Sequence, residues 1–420
     1  MSKSASYLEL LRLPGFVLFF GGRIVSSLGD MLFTMATMWY VLQRTNSPML
    51  TAIVPLIPMI SYMLLAMPLA TFADRMPKKA TLILTDIFRS IVVIVIWILI
   101  LFHRANLYWI YFANLILTVA GFLFTPAQQS VLPNVLPKPE NQLMPANALL
   151  NAASQVIGLV GYAIGAAIVA VLHIPNSVML DAISFLISGL SIIPISLPSL
   201  RADSKGGIKG FFLECSSGIQ FVWSKKILRA LVVFAGFTNL FGAPLAILTL
   251  VFSKSILHTG ILGYGYLETS ATLGGIVGTL LSGKVASRLR LRQWLIISLV
   301  FSGSGIFVMP LIPYIGISIV LLAMVNIALS LLNVPLVTAI QLLAPDDMRG
   351  KVMTGFGLLS GGISGPIGLM GGGWLMGRIG PAFTFIGVGI ACVVSGLISI
   401  FIPVFRKNTE LELGFKPDKT

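Results

Sequence analysis

The chain has 420 residues, of which 56% are hydrophobic and only 10% charged, with a formal net charge of +14. A mean hydropathy of +0.96 lies far above that of soluble domains and marks an integral membrane protein. Two cysteines, Cys215 and Cys392, and three scattered histidines, His103, His173 and His258, exclude a disulfide framework and a thiol or histidine metal site.

Apolar stretches long enough to cross roughly 30 Å of hydrocarbon as helices fall at 15–43, 49–73, 80–102, 107–128, 147–172, 177–198, 229–253, 260–284, 293–312, 315–341, 353–377 and 380–405. The predicted fold class is therefore an all-α membrane protein with twelve transmembrane helices, since β-barrels give weaker, alternating segments. The first span follows residues charged at both ends and lacks a small-residue cleavage site, so it is expected to be retained rather than cleaved as a signal.

Arg44, Arg104, Lys254 and Arg378 flank one set of connections, and Arg23 and Arg89 lie within spans. All other Lys and Arg residues fall in the opposite connections and the termini, which predicts both termini in the cytoplasm. Basic residues spread over inner loops face anionic lipid, so the net charge needs no nucleic acid to explain it.

The first span holds Arg23 and Asp30, which are expensive inside a bilayer. At 100° per residue Arg23, Ser26, Ser27, Asp30, Thr34 and Thr37 share one stripe, with Trp39 opposite, giving a helix with one wet face. Seven residues separate Arg23 and Asp30 by about 10.5 Å along the axis. Side chains lean toward the helix N-terminus, so Asp30 leans toward Arg23 while Arg23 leans away, and no direct pair is expected. Asp30 is the first candidate for proton coupling or cargo binding, with Arg23 snorkelling or meeting an anionic cargo group. Glu268, one or two turns into the eighth span, is the second candidate. Asp86 and Arg89, three positions apart on the third span, are spaced to pair on one helix face. Asp181 reads as a charge at the start of the sixth span, favoured by the helix dipole.

A polar interval after residue 200 divides six spans from six. The predicted domains are an N-terminal six-helix bundle (1–199), a cytoplasmic linker (200–228), a C-terminal bundle (229–405) and a cytoplasmic tail (406–420). Within the linker, Phe212, Cys215, Ile219 and Val222 recur at helical spacing and predict a helix lying in the membrane interface. The halves also echo each other: "ATFADRMPKK" (70–79) parallels "GKVASRLRLR" (283–292), and "TPAQQSVLPNVLP" (125–137) parallels "VPLVTAIQLLAP" (334–345). Such a parallel pseudo-repeat of two six-helix bundles belongs to one large transporter architecture.

Asp74, Arg75, Lys78 and Lys79 resemble the loop signature between helices two and three of the major facilitator superfamily. "NQLMPANALLNAASQVIG", "DAISFLISGLSI" and "PDDMRGKVMTG" resemble its bacterial macrolide-efflux and siderophore-export branch. "SSLGDMLF" is similar to lysophospholipid transporters. The pattern departs at Ala70 and Pro77, where the signature has glycines. It departs again at Asn114 and Thr118, where many proton-coupled exporters carry arginine, and at Tyr162, where they carry proline. Gly158, Gly161 and Gly165 still allow close helix contact.

The resemblance implies a central cavity lined by helices one, four, seven and ten. Its candidate lining is Ser26, Ser27, Thr34, Asn114, Phe122, Gln128, Phe237, Asn239, Phe241, Asn326 and Asn333. Aromatic surface mixed with amides suits a large amphipathic molecule better than a sugar. Asp74, Arg75, Lys78, Lys79, Asp86 and Arg89 become a cytoplasmic gate.

The expected function is a secondary transporter of the bacterial inner membrane. It would export a drug or metabolite by alternating access, coupled to protons, as a monomer among membrane lipids and without cofactors. Siderophore export and lysophospholipid movement are the alternatives within transport, and a non-transporting receptor or scaffold is the alternative outside it. Clustered metal or nucleophile spacings are missing from the spans, so no enzyme is expected. No segment resembles a phosphate-cradling loop, so direct use of ATP is not expected either.

Overall fold

The computed structural model describes residues 7–74, 76–196, 208–286, 291–346 and 348–401, and among these every regular element is helical. The helices are α1 (Tyr7–Leu10), α2 (Pro14–Thr45), α3 (Pro48–Asp74), α4 (Lys78–Leu101), α5 (Leu107–Val135), α6 (Pro139–Ile192), α7 (Ile208–Ser224), α8 (Lys226–Gly242), α9 (Leu245–Ser255), α10 (Gly260–Ala286), α11 (Leu291–Val308), α12 (Ile315–Leu343), α13 (Arg349–Gly357) and α14 (Ser364–Ile398). A π-helical turn, Leu358–Gly362, joins α13 to α14.

Eight described helical stretches are long and apolar enough to cross a membrane. Two of them, Pro139–Ile192 and Arg349–Ile398, are 54 and 50 residues long, about twice what a bilayer needs. Each breaks at one residue: His173 (φ 62°, ψ 168°) in α6 and Gly380 (φ 85°, ψ 162°) in α14.

His173 has company. Asn46, His103 and His258 are the other non-glycine residues with positive φ among those described, and each lies just after a helix: α2, α4 and α9. The three histidines, which carry no chemical assignment from sequence, are therefore turn residues. Their φ of 54° to 62° is positive, which side-chain-bearing residues rarely adopt, and the ψ of 168° at His173 puts that residue in a region held almost only by glycine.

Contacts divide the chain into two compact units, one made of Met1–Thr45 and Ile53–Gly210, the other of Asn46–Ala52 and Phe211–Thr420. The break at Gly210 falls inside the predicted linker. A short segment at the start of α3 goes with the second unit, where the Cα of Met49 lies against Gly373 and Lys254 Nζ donates to Asn46 Oδ1 at 2.7 Å.

In a bilayer helices gain little by hiding apolar surface from lipid, so small residues that let backbones approach carry much of the packing. In the first unit α6 packs against α2 and α4. Gly161 and Gly165 of its first half receive Met31 and Met35 of α2, while Gly22 and Gly29 of α2 receive Ser191 and Ser184 of its second half. In the second unit a Cβ on Gly274 would stand 2.1 Å from the Ala323 carbonyl, and one on Gly278 2.5 Å from that of Ile327. α10 and α12 therefore meet backbone to backbone. By contrast α3 and α5 leave an apolar recess of about 880 Å³ lined by Leu56, Ile60, Tyr108, Trp109 and Phe112, with Tyr62 meeting Phe122 edge-on at 6.0 Å.

The linker helix finds protein partners that its sequence does not reveal. Val222 of α7 is fully buried in a core with Leu228, Leu231, Ala339 and Val352. Gly218 approaches so near to Lys351 that a Cβ would stand 2.0 Å from its carbonyl oxygen. α7 is thus docked on α13 through Gly218, with Val222 seated in the same core. The side chains of Phe212 and Cys215 lie outside the described residues.

His173 gives a test of the turn geometry. His173→Gly removes the left-handed penalty and is expected to hold or raise thermal stability in detergent. His173→Val places a β-branched residue in the same conformation and should lower stability by about 1–2 kcal/mol. Equal melting temperatures for the two variants would show that the residue is not held at positive φ.

Candidate functional site

The stripe on α2 is narrower than its sequence suggests. Asp30 and Thr34 are exposed, Arg23 and Ser27 half-buried, but Ser26 and Thr37 are fully buried. Gly22, Ser26 and Gly29, spaced four and three apart, form the side of α2 that meets α6, so Ser26 belongs to helix packing and not to a cavity wall. Thr37 is turned inward and donates to the Phe33 carbonyl at 2.7 Å. The solvent-accessible edge is Ser27, Asp30 and Thr34, and Thr34 Oγ1 donates to the Asp30 carbonyl at 2.9 Å. Arg23 and Asp30 make no contact ion pair, yet each lies in the other's field.

Around Asp30 the first unit gathers more charge. Asp86 and Arg89 of α4 are buried and sit 3.8 Å apart, Nη1 to Oδ1. That is a loose pair, and Arg89 is held chiefly by carbon. Its guanidinium lies 5.0 Å from the Phe124 ring centroid and 5.3 Å from that of Phe185, between α5 and α6, an arrangement that suits a planar, weakly hydrated cation. Neither Asp86 oxygen has a hydrogen-bond partner of ordinary length, nor does Arg89 Nε, although Ser188 of α6 is near enough to act on Asp86.

Sequence reasoning misplaced Asp181. The second half of α6 begins just after His173, so Asp181 lies two turns inside it. It is fully buried and pressed against α2: a Cβ on Gly29 would stand 2.4 Å from Asp181 Oδ1. Ser184 Oγ shares its one proton between the Asp181 carbonyl at 2.8 Å and that oxygen at 3.2 Å, while Oδ2 has no partner. Asp30 and Arg89 both act on it electrostatically. A signal was present in the sequence: Asp181, Ser184, Ser188 and Ser191 recur at three- and four-residue steps in an otherwise apolar span, tracing one polar helix face.

The remaining candidates are dispersed. Asn114 is buried, and its amide donates to the Ile110 carbonyl at 2.9 Å. Asn239 and Asn326 likewise donate to Ala235 and Leu322, four residues back. One amide donor of each is thus engaged within its own helix, the local side-chain to backbone bond that a mid-helix Asn can form. Gln128 is buried and Asn333 exposed. Phe237 and Phe241 stack on α8 at 6.4 Å, and Phe122 is half-buried against Tyr62. In the second unit Glu268 is half-buried on α10 and accepts from Thr249 Oγ1 of α9 at 2.7 Å, a partner that sequence reasoning missed.

Of the gate-loop residues, Arg75 and the side chain of Asp74 lie outside the described residues. Lys78 is buried and donates to the Ala73 carbonyl at 3.0 Å. Lys79 Nζ reaches the Ile193 and Ile195 carbonyls at 2.7 and 2.8 Å. Lys79 thus caps the C-terminal end of α6, where carbonyls lack helical partners and the dipole favours a cation.

Comparisons with known proteins agree with this architecture. The profile of the Major Facilitator Superfamily matches residues 19–368 and 232–418. The chain is 23% identical over 400 residues to the multidrug efflux pump Tap of Mycolicibacterium fortuitum, covering 94% of this chain and 96% of that protein. It is 22% identical over 396 residues to the transporter YfmI of Bacillus subtilis, covering 93% and 97%. Among solved structures it resembles the nucleoside transporter NupG (TM-score 0.73, 13% identity, 91% of this chain and 99% of that one). It also resembles a bacterial homologue of the iron transporter ferroportin in an inward-facing state (TM-score 0.70, 14% identity, 95% and 98%). At such identities the structures share the fold and say nothing of cargo.

Arg89 offers a stability test. Arg89→Ala leaves Asp86 buried without its counter-ion and is expected to destabilise the protein by about 3–5 kcal/mol. Arg89→Lys keeps the charge, loses the planar contact with both rings, and should fall between Arg89→Ala and the wild type. Thermal unfolding in detergent ranks the three, and Arg89→Lys indistinguishable from wild type would show that the rings do not hold the cation.

Proposed function

The chain belongs to the major facilitator superfamily, and on that premise we propose that it exports an amphipathic small molecule, a drug or metabolite, by alternating access. Protons entering in exchange drive the cycle. The observation that carries the reading is Asp30: a carboxylate exposed on a transmembrane helix, flanked by Ser27 and Thr34 and in the field of Arg23 and Arg89. A carboxylate so placed can exchange with solvent and can meet either a proton or a cationic cargo group. The full-length likeness to proteins named multidrug efflux pumps supports a drug-like cargo. Both termini are assigned to the cytoplasm of a bacterial cell from the asymmetry of Lys and Arg, and the transporter works as a monomer in the inner membrane.

Glu268 is the counterpart in the second unit, held by Thr249. Phe237, Phe241 and Phe122 supply apolar surface for cargo, and Lys78 and Lys79 fasten the end of the first bundle where the gate is expected. A second reading, movement of lysophospholipids, draws on the aromatic recess between α3 and α5, whose size and apolar lining suit an acyl chain.

The deciding experiment is flux in proteoliposomes with lipophilic cations, macrolides, catechol siderophores and lysolipids, each with and without an imposed pH gradient. A lipophilic cation or macrolide driven by the gradient is the expected outcome, and lysolipid movement indifferent to the gradient would favour the second reading. Asp30→Asn is expected to abolish uphill transport while leaving expression normal. Thr249→Val, which removes the hydroxyl that donates to Glu268, should weaken the apparent affinity for the driven ion or cargo by about tenfold, the equivalent of one lost hydrogen bond to a charged group. Undiminished uphill flux in Asp30→Asn would remove that residue from the coupling machinery.

A further inference from the structure

The first unit contains an uneven set of charges. Five ionisable side chains from three helices act on one another: Arg23 and Asp30 on α2, Asp86 and Arg89 on α4, and Asp181 on α6. α5 contributes the Phe124 ring and the backbone at Gly121, which faces Arg89 Nη2, but its sequence holds no charged residue. Three carboxylates therefore share two guanidiniums. Arg89 is paired loosely with Asp86, and Asp30 lies in the field of both guanidiniums, Arg89 more strongly than Arg23. Asp181 is left over.

Its surroundings are poor for an anion. Asp181 is fully buried, one oxygen is served only by Ser184, and the other has no partner. Asp30 adds a second negative charge nearby. A buried ion without a matched partner costs several kcal/mol, and one further positive charge removes that cost. The space admits little more than a proton. With Gly29 pressed against both Asp181 Oδ1 and Ser184 Oγ, a metal ion with its several oxygen ligands at more than 2 Å would have to part α2 from α6.

We propose that Asp181 binds the exchangeable proton of the first unit, passed to it from Asp30. The inference deepens the proton-coupled reading above, and only its transport test rests on that reading. Asp30 is the residue after Gly29, so the exposed carboxylate stands one helix position from the contact that buries Asp181, within its electrostatic reach. In the step, the O–H bond of the Asp30 carboxyl breaks and an O–H bond forms at Asp181 Oδ2. The negative charge moves to Asp30, where it lies in the field of Arg89 and Arg23, and no co-reactant is needed. In the reverse step Arg89, whose Nε has no partner and whose faces rest on two rings, can turn from Asp86 toward Asp181. Proton release would in this way alter the packing of α4 against α6.

The test uses the full-length protein in lipid nanodiscs and infrared difference spectroscopy of the protonated carboxyl C=O stretch. Asp181→Asn is expected to delete one band that Asp30→Asn and Glu268→Gln retain. Ser184→Ala keeps the carboxyl and removes its donor, so it is expected to shift that same band, which provides a reading even if Asp181→Asn fails to fold. In proteoliposomes, a gradient of about one pH unit supports about tenfold accumulation per coupled proton. Asp181→Asn should lose this accumulation while cargo exchange at equal pH persists.

A band insensitive to both substitutions, or an intact response to the pH gradient in Asp181→Asn, would overturn the proposal. A response to a sodium gradient at constant pH, abolished by Asp181→Asn, would overturn it in favour of an alkali ion. Absence of flux for every cargo in the wild type would count against the transport reading alone, since the infrared result decides Asp181 by itself.

Discussion

The second half of α6 lies so close to α2 that Gly29 can carry no side chain, and the polar architecture of the first unit is arranged around that contact. A glycine there lets a carboxylate from one helix rest on the backbone of another. The cost of burying Asp181 is only partly offset by what surrounds it: Ser184 on its own helix, and Arg89 in the gap between α4, α5 and α6. Close packing and buried charge are one feature here, because removing water and lipid from the contact strengthens each electrostatic term that remains.

The manner in which Arg89 is held matters for the same reason. A bidentate carboxylate pair would fix the guanidinium in one orientation. Two aromatic faces and one long contact to Asp86 hold its position without fixing its partner. A cation kept this way can answer to changes at Asp30 or Asp181, which is the property that a coupling device requires. In the second unit the charge chemistry is simpler, with Glu268 and Thr249 forming a single hydrogen bond. There, the closest packing falls between α10 and α12, through Gly274 and Gly278.

The two units solve the same packing problem unequally. α10 and α12 close backbone to backbone, whereas α3 and α5, at matching places in the first half, leave a wide aromatic recess. Bulky Tyr108, Trp109 and Phe112 on one side and Ile60 and Tyr62 on the other explain the difference, since α3 carries no glycine to let the backbones meet. The repeat in the sequence therefore sets the common plan, and the small residues decide where each half is tight.

Sequence by itself determined the class of the molecule, because twenty-residue apolar runs in water-free hydrocarbon have only the helix open to them, and because the loop signature at Asp74 and Arg75 with its matched second copy marks the superfamily. It also singled out Asp30, since an ionisable group within such a run is too costly to be incidental. Tertiary structure decided what each of the other polar residues touches. Asn114, Asn239 and Asn326 turned out to serve their own helices, Ser26 and Thr37 faced inward, the three histidines became turns, and Asp181 moved from a helix end to the centre of a charge cluster. The physical reason is that hydropathy and period report what a residue costs in a membrane, while the partner that offsets the cost comes from another helix, far away in the chain and invisible until the helices meet.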